Sequence, residues 1–110
     1  VAKDWIITPY DDNGYCSVAR LTNTLTYTGG VVSASAGRLL KVTVTTAFVG
    51  ASGVLTFYDN AGAASGTPLL AIPVAQGVSG AVFTIDLPVV NGIFAGNASL
   101  TAGGVTVGYA

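Results

Sequence analysis

The side chains able to do chemistry are few. In 110 residues there is no histidine and no glutamate, one cysteine at position 16, and five aspartates at positions 4, 11, 12, 59 and 86. A nucleophile needs a base within hydrogen-bonding reach, so neither a serine triad nor a Cys-His pair can be assembled, and Cys16 reads as a small apolar residue. Two aspartates could in principle meet as a glycosidase pair, but they fall at loops and strand ends with no convergent donors around them. Asp11-Asp12-Asn13-Gly14 invites a calcium-loop reading. With Gly14 as the loop glycine, however, the first ligand position is Pro9 and the closing bidentate acid is Arg20, so the segment reads as a turn. Gly62 with Gly66, and Gly92 with Gly96, precede no phosphate-binding lysine and also read as turns. No catalytic, cofactor-binding or metal-binding residue is expected. The aromatic residues Trp5, Tyr10, Tyr15, Tyr27, Tyr58 and Tyr109 could form a sugar-stacking platform, or could sit at rims and subunit contacts, where a ring with a polar tip is well placed.

The elements that would hold these side chains are strands. Leu40, Val42 and Val44 alternate with Lys41, Thr43 and Thr45, and Leu55 and Phe57 alternate with Val54, Thr56 and Tyr58. With Gly50 and Gly53 between them, residues 37–60 read as a β-hairpin around which the remaining strands are organised. Leu21, Asn23, Leu25 and Tyr27 against Thr22, Thr24, Thr26 and Thr28 make a further strand with one solvent face. Leu69–Ile72, bounded by Pro68 and Pro73, belongs at a sheet edge, because proline cannot donate to a ladder. Residues 81–87, 93–95 and 105–109 supply more strands, and Asn91-Gly92 is the strongest short turn signal. The turn spacing predicts an all-β, antiparallel, jelly-roll-like sandwich of about eight strands, with Leu40, Val42, Val44, Leu55, Phe57, Phe83 and Ile85 in its core.

Composition narrows the class. One domain spanning 1–110 is expected, with residues 1–20 a possible N-terminal arm. Charged residues make up 8% of the chain, where about a quarter is usual, so the outer faces must be built of Thr, Ser, Asn, Gly and Ala or be covered by other subunits. Four basic residues against five acidic ones cannot neutralise a phosphate backbone, which argues against nucleic acid. The uncharged run 60–85 is interrupted by Pro68, Pro73 and glycines, which argues against a membrane span. Val1-Ala2-Lys3-Asp4 lacks the apolar core of an export signal, and a lone cysteine suits a reducing compartment, so synthesis in a cytoplasm is expected.

From Ser33 onward the chain resembles a family of short virion proteins encoded among the head and tail-connector genes of tailed bacteriophages. The likeness rests on Ala-Gly-Arg-Leu at 36–39, Leu-Thr-Phe-Tyr-Asp-Asn at 55–60 and Ala-Ala-Ser-Gly-Thr-Pro-Leu at 63–69, then on Phe-Thr-Ile-Asp-Leu-Pro at 83–88, Asn91-Gly92-Ile93 and Val105-Thr106-Val107. The resemblance covers about two-thirds of the chain. It implies a jelly-roll or related sandwich that decorates or cements a capsid, made in the host bacterium and carried on the virion, with the major capsid protein as partner and no catalytic residues. It also implies a homotrimer, since capsid lattices offer local three-fold sites. The alternative is a receptor- or carbohydrate-binding β-module of a phage tail. Trp5, Ile6, Ile7 and Tyr10, outside the family-like region, are the candidate interface: either an arm reaching a neighbouring subunit or an ordinary edge strand.

Overall fold

The computed structural model describes residues 21–110. Trp5, Ile6, Ile7 and Tyr10, together with Cys16 and residues 11–14, whose sequence reads as a turn, lie outside the described residues. Eight strands follow in order: β1 (Leu21–Thr26), β2 (Gly29–Ser33), β3 (Gly37–Val49), β4 (Val54–Asp59), β5 (Thr67–Pro73), β6 (Val82–Val89), β7 (Ile93–Ala98) and β8 (Ala102–Tyr109). They form two four-stranded sheets, ordered β1-β8-β3-β6 and β2-β7-β4-β5, and every neighbouring pair is antiparallel. The chain changes sheet at every connection except β4 to β5. The all-β antiparallel sandwich read from the sequence is therefore present, and its strand order is that of a jelly roll.

Alternation decides which side of each strand is buried. The aligned row Asn23, Val107, Val42 and Phe83 faces inward, while the next rows out face solvent. Leu39, Val42, Val44, Val105 and Val107 from one sheet meet Leu55, Phe57, Ile72, Ile93 and Ala95 from the other, all essentially inaccessible to water. At about 1.5–3 kcal/mol for each large side chain buried, this layer is the main favourable term in folding.

Residues 37–60 do not form a hairpin. β3 and β4 are consecutive but lie in opposite sheets, β3 between β8 and β6, β4 between β7 and β5. Each has an apolar face, and setting those faces against each other across the sandwich removes both from water, whereas edge-to-edge pairing would leave both needing a cover. The connection passes close to the β7–β8 turn. Gly50 holds φ at 147°, and a Cβ there would lie 2.5 Å from the Ser99 carbonyl oxygen. Asn91-Gly92 likewise crosses from one sheet to the other instead of closing a hairpin.

Leu40 is not a core residue. The pairing of β3 slips between Leu39 and Lys41 against both neighbours, so Leu39 takes the fully buried place and Leu40 is turned to the outer face, half-buried. Phe83 and Ile85 are half-buried at the margin of the core, because β6 is an edge strand with a neighbour on one side only. Val42, Val44, Leu55 and Phe57 lie in the core as the alternation predicts. Gly96 is not in a turn either: it lies within β7, where a Cβ would strike that of Ala64.

Candidate functional site

The two described aspartates are both occupied with holding the chain together. Asp59, at the end of β4, accepts hydrogen bonds from the Asn91 backbone N–H at 2.8 Å and from the Val90 N–H at 3.1 Å. These donors, Asn91 first and Val90 next, hold its carboxyl below the ordinary aspartate range. The neighbouring Asn60 organises the β4–β5 loop: its Oδ1 accepts from the Gly62 and Ala63 N–H groups and its Nδ2 donates to Ser65. Asp86, on β6, accepts from Arg38. A carboxylate kept charged by backbone donors is a poor general acid, and Asp86 lies on a different strand with its own partner. Among the described residues no group of three or more potential metal ligands comes together.

The described tyrosines, Tyr27, Tyr58 and Tyr109, are not brought to one platform; Trp5, Tyr10 and Tyr15 lie outside the described residues. Tyr27 and Tyr109 pack against the core from the β1-β8 side. Tyr58 lies on β4 in the other sheet and flanks the loop side of Gly96.

What the fold does assemble is a threonine face. On the outside of the β1-β8-β3-β6 sheet, Thr24, Thr106 and Thr43 align in one row that ends at Val82, and Thr22, Gly108, Lys41 and Thr84 align in the next. Thr45 and Thr46 continue it, closing over Gly104. The alternation of Thr22, Thr24 and Thr26 and of Thr43 and Thr45 is visible in the sequence, but only the strand order shows that they share one surface. Because Gly108 has no side chain, the face dips there into an open groove of about 460 Å³. It is lined by Leu21, Thr22, Leu40, Lys41, Thr84, Asp86, Gly108 and Tyr109. The groove offers hydroxyls, one ammonium and one carboxylate around an aliphatic patch, and no nucleophile paired with a base. Such a surface can bind.

The four sheet edges differ. β5 carries Pro68 and Pro73, and β6 carries Pro88 and a bulge at Asp86. β2 has five residues, opens on two glycines and slips register between Val31 and Ser33. β1 pairs with β8 in unbroken register over all six of its residues and contains no proline, glycine or charge.

Among the described residues, fold and surface together define the class: an eight-stranded jelly-roll sandwich with a low-charge, threonine-rich outer sheet. No family model, curated protein or solved structure matches this chain.

Proposed function

We propose that this chain is a non-enzymatic structural protein of a tailed-bacteriophage virion, which decorates the capsid by bridging adjacent capsomers. The major capsid protein is its partner, and it also associates with copies of itself. The observation that carries the reading is the threonine face. Hydroxyls and methyls can be buried against another protein without stripping ions of their hydration, a cost that a surface of ordinary charge density would incur. Each copy then needs only a modest interface, because several contacts made at once on a repeating lattice hold far more firmly than any one of them. The bridges must break before neighbouring shell proteins separate, so decorated heads resist internal DNA pressure. The resemblance from Ser33 onward supports the same reading.

The groove beside Gly108 favours a second reading, a receptor- or carbohydrate-binding module of a phage tail, since hydroxyls, Lys41 and Asp86 around Leu40 are the kinds of group that hold a sugar. Electron micrographs of virions made with and without the protein separate the two. Density over the capsomer seams that vanishes in its absence, with loss of heads on mild heating, is the outcome expected. Density confined to the tail, or tight binding to a defined oligosaccharide, favours the second reading.

A further inference from the structure

β1 ends its sheet, and among the described residues no strand pairs with its outer edge. The Tyr27 N–H donates to the Gly103 carbonyl at 2.8 Å just beyond the strand, which fixes the phase of the β1–β8 ladder. By alternation, the backbone groups of Leu21, Asn23 and Leu25 are directed at β8, and those of Thr22, Thr24 and Thr26 at the open edge. An edge strand with free donors and acceptors is a template for another strand, and natural sheets blunt such edges with proline, charge or bulges. β2, β5 and β6 carry devices of that kind; β1 carries none.

The sequence of β1 says what fits there. Leu21-Thr22-Asn23-Thr24-Leu25 reads the same in both directions. When a palindromic strand pairs antiparallel with its own copy about a two-fold axis, every residue meets its like or its mirror position. With the axis at Asn23, Leu21 faces Leu25 of the copy on the inner side, Thr22 faces Thr24 on the outer side, and Asn23 faces itself. The outward backbone groups also fall into step, since Thr22 and Thr24 are both edge-directed and exchange two N–H to C=O bonds in each of the two equivalent pairs. No like charges oppose each other, because the strand has none. Leu21, 47% exposed, is the large aliphatic this contact would cover.

We propose that β1 is the self-association edge of this protein: two copies pair β1 to β1, antiparallel about Asn23, joining their β1-β8-β3-β6 sheets into one eight-stranded sheet with a continuous threonine outer face. The symmetry is two-fold, in contrast to the three-fold arrangement that the resemblance implies, and the proposal stands apart from the capsid reading.

Sedimentation or native mass spectrometry of the full chain is expected to give twice the 10.9 kDa chain mass at micromolar concentration. Thr24→Pro removes an edge-directed N–H while leaving the β8 ladder intact, and is expected to give a monomer with unchanged circular dichroism. Asn23→Cys in a Cys16→Ser background tests the register without depending on that variant's folding. At a non-hydrogen-bonded pair the Cα atoms are about 4.5 Å apart, within disulfide reach, so mild oxidation is expected to link two chains. Thr24→Cys in the same background, set diagonally from its copy, is expected to link far less. A monomer or a trimer in the unmodified protein, a dimer unaffected by Thr24→Pro, or equal linking at positions 23 and 24 would each overturn the proposal.

Discussion

Arg38 and Asp86 lie 48 positions apart in the chain and meet on the outer face of the β3–β6 pair. Arg38 Nε donates to Asp86 Oδ1 at 2.6 Å, and a terminal guanidinium nitrogen donates to the Asp86 backbone carbonyl at 3.2 Å. Asp86 holds φ at 69°, a left-handed conformation in the middle of an edge strand, at the point where β6 carries one residue more than β3 between its aligned pairs. The arginine therefore grips both ends of the residue that bulges. Both side chains are about half exposed or more, so the pair itself contributes little. Replacing Arg38 by Ala is expected to cost about 0.2–1 kcal/mol in urea unfolding. Asp86→Gly is expected to be close to neutral, because removing a left-handed penalty of about 1 kcal/mol offsets the lost pair.

The bulge on β3 makes a sharper prediction about the core. Leu39 is fully buried and its neighbour Leu40 is half-buried on the outer face. Leu39→Ala is expected to cost about 2–5 kcal/mol and Phe57→Ala about 3–5 kcal/mol, while Leu40→Ala costs less than either. A larger loss at 40 than at 39 would mean that the strand runs in unbroken alternation, with Leu40 on the same face as Val42 and Val44.

Asp59 ties the end of β4 to the β6–β7 connection, and its effect depends on pH. Its carboxyl is held below the ordinary range by the Asn91 and Val90 N–H groups, so the ionised form is favoured in the folded state. The resulting stabilisation is fully present above the unfolded-chain value of about 3.9 and is lost as pH falls through the lower folded-state value. Asp59→Asn is expected to melt at a lower temperature than the parent at pH 7. The difference should shrink steadily below about pH 4. Melting curves of both proteins from pH 7 to pH 2 test this, and a gap of constant size would show that the carboxylate charge plays no part.

Much of the local structure is legible in the sequence. The alternation of residues 21–26 gives a strand with one solvent face, and Pro68 and Pro73 put β5 at an edge. Pairing is not legible in the same way. Alternation tells a strand which face to bury but not which strand lies beside it, and β3 finds its partner in β8, more than fifty positions away, where the Thr101 N–H donates to the Val49 carbonyl at 2.7 Å. Leu39 and Leu40 show the second limit. Two adjacent leucines fit either phase of an alternating strand, and only the bulge decides between them. The candidate interface at Trp5, Ile6, Ile7 and Tyr10 lies outside the described residues. The threonine face was present in the sequence as two separate alternating runs, which strand order alone joins.

The proposal that this protein holds a capsid through a low-charge, threonine-rich surface is tested most directly by the dependence of attachment on salt. Decorated heads are washed in buffer of rising ionic strength and the protein remaining on them is measured. Attachment through threonine hydroxyls and apolar contacts predicts that the bound fraction stays constant well beyond 0.15 M salt, where the screening length has already fallen to about 8 Å. Release over a moderate rise in salt, or no specific attachment to heads at any ionic strength, would contradict it.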